Sequence, residues 1–108
     1  MVQVTQPFVH HCLPIRDRNG HKGTFGKVHI LAGSVGFTGA PALASEAAVR
    51  TGSGLVSLSV PQEIWPVLAV KCQEAMPAPV PPYPELLEKM NQSDSVLIGP
   101  GLGRSRAT

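Results

Sequence analysis

The sequence predicts an α/β fold with a mainly parallel sheet. Strand-like and helix-like segments alternate along the 108 residues, and two of the strands run into glycine-rich loops. The hydrophobic content of 43% is sufficient for one core. Because ligands collect at the carboxyl ends of the strands in such sheets, both glycine-rich loops are expected at one edge.

The first half of the chain contains one predicted strand and one predicted helix. Residues 1–24 mix prolines, charges and glycines without a period and are expected to be irregular. Residues 27–32 (KVHILA) combine β-branched side chains with flanking glycines, which predicts a buried strand. Residues 40–51 are rich in alanine, carry Pro41 in the first turn and stop before Gly52, which predicts a helix.

The second half repeats the alternation. Residues 55–60 (LVSLSV) alternate Leu55, Ser57 and Ser59 with Val56, Leu58 and Val60, which predicts a second strand. Residues 61–71 predict a helix that is short or bent, because Pro66 lies late in it. The proline-rich residues 74–84 are expected to be mainly a connection, with room for a short extended segment. A helix and a third strand are predicted at about residues 84–91 and at residues 95–98.

The predicted sheet is small for an α/β domain. Three strands leave an unprotected edge, which is a liability for unwanted pairing. The chain also stops just after a strand and its loop, where an α/β fold enters its next helix. We therefore expect residues 25–108 to be an incomplete domain, truncated after about three strands and preceded by the irregular segment 1–24.

Composition argues against several classes of function. A dispersed net charge of +2 does not indicate a nucleic-acid partner, and no apolar run approaches the roughly 20 residues of a membrane span. Cys12 and Cys72 lack metal-ligand spacing, so two free thiols and a cytoplasmic location are expected. The adjacent His10 and His11 lack partners at ligand spacing, and no metal site is predicted.

The first glycine-rich loop is ambiguous as a pattern. Gly33, Gly36 and Gly39 spell neither GxGxxG nor the GxxxxGK[ST] phosphate loop. They suit a strand-to-helix turn that needs close packing. They equally suit a ligand site, because Gly39 and Ala40 fall at a predicted helix N-terminus, where backbone N–H groups favour anionic or polar groups.

The second loop contains Gly99, Gly101 and Gly103. It can be a rigid exit from the strand, or a surface where a flat ligand approaches bare backbone. His21 and Lys22 are either a solvated turn or a cation placed near a ligand phosphate. Two glycine loops at one sheet edge favour the ligand-binding interpretation over either loop alone.

The combination of these motifs resembles the NAD(P)H-hydrate dehydratase family, whose domain is also called YjeF C-terminal or carbohydrate-kinase-related. The pieces that carry the resemblance occur in family order and with family-like spacing. They are HKG at residues 21–23, AGS and TGA between residues 32 and 40, RTGSGLV at residues 50–56, and IGPGLG at residues 98–103. The resemblance extends over nearly the whole chain.

The resemblance implies a ribokinase-like fold and a lyase that repairs hydrated NADH or NADPH. Relatives dehydrate the S epimer, driven by ADP in most bacterial members, which gives AMP and phosphate, and by ATP in eukaryotic ones. Mg²⁺ is an implied cofactor. The implied partners are the hydrate substrate, further copies in a homotetramer, and an NAD(P)H-hydrate epimerase that is fused in some members.

The resemblance also implies site residues. The hydrate contacts of the family fall on Gly39 and Ala40 in the first loop and on Gly99, Gly101 and Gly103 in the second. His21 and Lys22 stay candidates for a position near a phosphate on their residue types, beside the alternative of a solvated turn.

The family's HPGE-like segment, its lysine-glycine nucleotide stretch and its GTGD-like motif with the catalytic Asp have no counterpart in these residues, so no catalytic residue is assigned. We expect this chain alone to be inactive. The alternatives are part of another ribokinase-like small-molecule kinase, or a non-catalytic module that binds dinucleotide or assembles with longer subunits.

Overall fold

The computed structural model describes residues 1–104. Strands alternate with helices after an N-terminal helix and a 3₁₀ turn at Lys22–Phe25. The strands are β1 (Lys27–Leu31), β2 (Leu55–Val60), β3 (Met76–Pro79) and β4 (Ser95–Ile98). The helices are α1 (Gln6–Cys12), α2 (Gly39–Arg50), α3 (Trp65–Lys71) and α4 (Tyr83–Asn91).

The four strands form one sheet in the order β3-β2-β1-β4, and every neighbouring pair is parallel. The register aligns Lys27 with Leu55 and Val28 with Ser95, so the strands start near a common edge. The α/β class with a parallel sheet is confirmed. Because β1 and β4 are neighbours, the loops that follow them lie side by side at the carboxyl edge.

The hydrophobic core lies on one face of the sheet. Alternate residues of β1 and β2 point to that face, and α2 and α3 cover it. The buried residues there include Ile30, Val56, Leu58, Val60, Ile64 and Leu68. The other set of alternating residues includes His29, Ser57 and Ser59 and faces α4, which buries only Leu86. The amphipathic alternation of β2 therefore separates an apolar layer from a polar one.

The expectation of about three strands falls one short, because residues 76–79, where room was left for a short extended segment, form a fourth strand. Among residues 1–104, β3 pairs only with β2 and therefore lies at the edge of the described sheet. Alternate N–H groups of an edge strand point away from the sheet. Pro77 and Pro79 stand at such positions, so their missing N–H groups remove no hydrogen bond from the sheet. Val80 N continues the pairing by donating to Val60 O at 2.9 Å. The indole N–H of Trp65 donates to Pro77 O at 3.0 Å and ties α3 to this strand.

The expectation that residues 1–24 are irregular is also wrong in part. Thr5 caps α1 by accepting a hydrogen bond from Phe8 N at 3.3 Å, and Pro7 occupies the first turn, where no N–H is needed. α1 buries none of its own residues. Arg16 anchors the following segment, since its guanidinium donates to Gly52 O at 3.0 Å and lies 3.9 Å from the centre of the Phe25 ring.

The remaining elements lie close to their predicted positions. α2, α4, β1, β2 and β4 agree with the predicted segments to within a residue at each end. α3 begins only at Trp65, because Pro66 is tolerated in the first turn of a helix and not in its interior. Within residues 1–104, no helix combines the length and apolarity that a membrane crossing requires.

Candidate functional site

The loops that follow β1 and β4 are joined to each other by backbone hydrogen bonds. Gly33 N donates to Pro100 O at 2.8 Å, and Gly99 N donates to Leu31 O at 3.2 Å. These bonds extend the pairing of the two strands into their loops. The structure therefore brings together the two glycine segments that the sequence placed at one edge.

Ser34 makes the side-chain link between the loops. Its hydroxyl donates to Gly101 O at 2.7 Å, and its own carbonyl accepts Phe37 N at 2.9 Å. A Cβ at Gly103 would lie 3.4 Å from Ser34 Oγ. Ser34 was not predicted as a site residue. The available signal was a hydroxyl residue directly after the glycine that ends a strand.

Ala40 and Gly101 lie against each other. A Cβ at Gly101 would stand 3.2 Å from Ala40 Cβ and 3.3 Å from Phe37 O, and the backbone φ of Gly101 is +70°. A larger residue at either position would force the loops apart. The small residues are thus required by the approach of the two loops.

The glycines of the first loop divide into two kinds. A Cβ at Gly33 would collide with Ile64 and Pro41, so Gly33 serves close packing under the loop. Beside Gly39, and likewise beside Gly99, a Cβ would meet no atom of residues 1–104 within 4 Å. Packing therefore explains Gly33, whereas the backbone at Gly39 and Gly99 borders open space that a ligand can enter.

The start of α2 adds polar groups to this open space. The helix begins at Gly39, and the first-turn N–H groups of a helix have no partner within it. The Thr38 side chain does not cap them; its hydroxyl instead accepts a hydrogen bond from Lys71 Nζ at 2.8 Å. Lys71 thus places a positive charge beside a helix N-terminus, an arrangement that suits anions. The sequence contains no signal for Lys71, because it lies 33 positions from Thr38 and only the fold brings the two side chains together.

Exposed apolar side chains flank the bare backbone. Phe37 has 61% of its surface exposed and Val35 has 69%, although both lie in a loop that is otherwise tightly bonded. An exposed aromatic ring beside glycine backbone can stack on a flat ligand. Phe37 was not identified from the sequence.

His21 and Lys22 lie elsewhere. Lys22 O is in close contact with Gly54, which precedes β2, and the His21 ring accepts Gly23 N at 3.1 Å. Both residues therefore stand at the amino edge of the sheet, whereas the glycine loops follow the carboxyl ends of β1 and β4. The structure does not bring this pair to the loops, and its assignment near a phosphate stays a prediction.

The described residues do not fit a magnesium site. Through residue 104, no group of three His, Cys, Asp or Glu side chains is placed to hold a metal ion. Cys12 and Cys72 are both free thiols. A cleft of about 450 Å³ between α2 and residues 71–75 contains none of the predicted site glycines, so we place the candidate site on the open loops.

The fold and this paired-loop edge define a ribokinase-like α/β domain. A ribokinase-like superfamily protein from Enterococcus faecalis matches with a TM-score of 0.77 and 27% identity, over 95% of this chain and 36% of that one. The ADP/ATP-dependent NAD(P)H-hydrate dehydratase from Bacillus subtilis, co-crystallized with ATP and Mg²⁺, matches with a TM-score of 0.73 and 29% identity. That match covers 95% of this chain and 38% of the other.

The chain belongs to the NAD(P)H-hydrate dehydratase family, whose Carb_kinase model matches residues 28–108. The ADP-dependent (S)-NAD(P)H-hydrate dehydratase of Listeria monocytogenes is 36% identical over 95% of this chain and 37% of its own length. The bifunctional NAD(P)H-hydrate repair enzyme Nnr of Moorella thermoacetica is 42% identical over 89% of this chain and 20% of its own length. The resemblance inferred from the motifs is confirmed. The chain spans about a third of the dehydratase relatives and a fifth of the bifunctional ones.

Proposed function

We propose that this chain supplies one wall of the hydrate-binding site of an (S)-NAD(P)H-hydrate dehydratase, a lyase that returns hydrated NADH or NADPH to the intact cofactor. The observation that carries the proposal is the approach of Ala40 to Gly101, with open backbone at Gly39 and Gly99 beside it. These are the positions to which the resemblance assigns the family's hydrate contacts. Gly103 belongs to the same wall through its contact with Ser34.

The residues of this wall bind and orient the substrate. Bare backbone at Gly39 and Gly99 lets a flat ring approach without a Cβ in the way, and Phe37 offers a face for stacking. The N–H groups at the start of α2 and the ammonium of Lys71 suit the negative charge of a dinucleotide. Ser34 holds the carbonyl of Gly101 in place, so the second loop keeps its open conformation.

The chemistry of dehydration requires a hydroxyl to leave from the hydrated ring. We propose ADP as the phosphoryl donor, with AMP and phosphate as products, supported by the ADP-dependent relatives. In eukaryotic relatives the expected donor is ATP. Because the described residues do not fit Mg²⁺, we derive no step through a metal. We assign none of the catalytic groups to the residues of this chain.

The oligomeric state, the partner enzyme and the location are proposals that rest on the family resemblance and on the cysteines. We propose a homotetramer as the assembled state of the dehydratase and a functional link to NAD(P)H-hydrate epimerase, which the bifunctional repair enzymes support. A cytoplasmic location is proposed on the two free thiols.

Calorimetric titration of the purified chain with (S)-NADH hydrate tests the proposal. Binding is expected, and Ala40→Leu should abolish it by filling the space beside Gly101. Ala47→Leu, an exposed position on the same helix, is the matched control and should bind normally. Added ADP should not restore the absorbance of NADH with this chain alone. Equal binding by both variants would refute the site, and turnover by the chain would refute our assignment of the catalytic groups.

A further inference from the structure

A polar cluster lies on the face of the sheet opposite the hydrophobic core. His29 on β1 is 97% buried, with 3% of its surface exposed, and it stands between two serines of β2. Its Nδ1 lies 2.7 Å from Ser57 Oγ, and its Nε2 lies 3.1 Å from Ser59 Oγ. The glycine loops and their proposed substrate do not involve these side chains.

The hydrogen bonds of this cluster depend on the protonation of His29. A neutral imidazole has one donor and one acceptor nitrogen, so one serine hydroxyl must donate to the ring. An imidazolium donates from both nitrogens, and both serines then accept. Proton uptake therefore releases the one hydroxyl proton that the neutral ring accepted, and both hydroxyls can then donate elsewhere; Ser57 Oγ already has Val28 O as an acceptor at 3.4 Å.

The serines line a cleft between the sheet and α4. Its volume is about 290 Å³, and its walls include Lys27 from β1 and Glu85 and Lys89 from α4. Two ammonium groups and one carboxylate give the cleft a positive balance. Lys89 Nζ stands 3.9 Å from Glu85 Oε1, at the limit of an ion pair, so its charge remains available to another anion.

We propose that this cleft binds a small oxyanion, a carboxylate or a tetrahedral phosphate-like group, through the hydroxyls of Ser57 and Ser59 and the ammonium of Lys89, and that His29 takes up a proton as the anion binds. Hydroxyl and ammonium donors are the groups that recognise such anions. The site is separate from the glycine loops and does not depend on the proposed dehydratase function.

The surroundings of His29 oppose a positive charge on its ring. Burial lowers the pKa of His29 from its usual value, and the positive charge of Lys89 lowers it further. An anion between Lys89 and the serines would offset both effects, because it compensates the ammonium and accepts hydrogen bonds from serine hydroxyls that no longer donate to the ring. Lys27 and Glu85, the other charged groups at the cleft, act in opposite directions on the imidazole. Anion binding and protonation of His29 must then favour each other reciprocally.

The test is to follow the ring-proton NMR shifts of His29 against pH in sulfate, in acetate and in chloride at equal ionic strength. Sulfate stands for a tetrahedral oxyanion with constant charge, and acetate stands for a carboxylate. The pH midpoint of the His29 titration should be higher in sulfate or in acetate than in chloride. The anion that raises it identifies the ligand class. The ring-proton shifts of His10 and His11, on the exposed helix α1, report any general effect of the salts and serve as internal controls.

Variants distinguish anion binding in this cleft from a general effect of salt on His29. Lys89→Met and Ser57→Ala should weaken sulfate or acetate binding several-fold and reduce the anion-dependent shift of His29. Arg50→Gln removes an equal charge from α2, on the other face, and should leave the shift unchanged. A His29 midpoint that is the same in all three salts, or a shift that persists in both Lys89→Met and Ser57→Ala, would overturn the proposal.

Discussion

The hydroxyl of Ser34 donates to the carbonyl of Gly101 at 2.7 Å, across 67 positions of sequence. This contact fixes the loop after β4 against the loop after β1. It keeps Gly101 beside Ala40, where the two loops meet. The stability of the candidate site should therefore respond to a residue that does not itself face the ligand.

Replacing Ser34 by alanine should loosen the second loop. The half-buried carbonyl of Gly101 loses its partner, so the free energy of unfolding should fall by about 1 kcal/mol. The affinity for the hydrate should fall as well, as measured by calorimetry. Thr51→Val, which removes a hydroxyl that donates to Ala47 O at 2.9 Å, is the control and should affect stability without affecting hydrate binding. Unchanged hydrate affinity in Ser34→Ala would contradict the positioning role.

Gly101→Ala and Gly36→Ala separate backbone strain from steric contact. Both glycines have positive φ, +70° and +87°, so both variants should lose about 1–2 kcal/mol through the backbone. The new Cβ would press on Ala40 and Phe37 at Gly101, whereas a Cβ at Gly36 meets no atom of the described residues within 4 Å. Urea unfolding should therefore show the larger loss for Gly101→Ala. Equal losses would mean that the loops do not press on each other.

Lys71 and Lys22 offer two competing sources of charge for the phosphates of a dinucleotide. The structure places Lys71 beside the start of α2 and Lys22 at the other edge of the sheet. Lys71→Met should weaken dinucleotide affinity roughly two- to fivefold at low salt, and the loss should shrink as salt is added. Lys22→Met should bind normally. The reverse pattern would support the assignment of His21 and Lys22 made from the sequence.

The buried His29 should make stability depend on pH. The pKa of His29 is lowered in the folded chain. Below a pH of about 6.5 the unfolded chain therefore binds a proton at His29 that the folded chain does not bind until the pH falls further. The free energy of unfolding should then fall as the pH drops from about 6.5 through the lowered pKa, and this contribution should be constant above 6.5. The measurement is chemical unfolding in chloride buffers across this range. His29→Gln should remove this component, whereas His10→Gln should retain it; a component that persists in His29→Gln would exclude His29 as its source.

Local patterns predicted most of the fold. β-branched runs, alanine-rich stretches and flanking glycines are short-range signals, and they placed β1, β2, β4, α2 and α4 close to their positions. β3 was not predicted as a strand because prolines argue against a strand unless it lies at the edge of a sheet. Whether a strand lies at an edge depends on the whole sheet and not on its own residues. α1 was not predicted because a seven-residue helix with no buried face leaves no hydrophobic period to detect.

The candidate site was predictable only in part. The glycines are visible as loops after strands, and the parallel sheet brings such loops to one edge. The contacts of Ser34 with Gly101 and of Lys71 with Thr38 join residues 67 and 33 positions apart, so no local pattern predicts them. His21 and Lys22 precede a strand, and the sequence alone did not indicate that this would place them away from the loops.

The most direct test of the central claim is a crystal structure of the protein with (S)-NADPH hydrate bound. We predict ligand density against Gly39 and Ala40 on one side and against Gly99 and Gly101 on the other, with Lys71 near the phosphates. Density for the hydrate at the amino edge of the sheet, or at any place that leaves both glycine loops uncovered, would contradict the account.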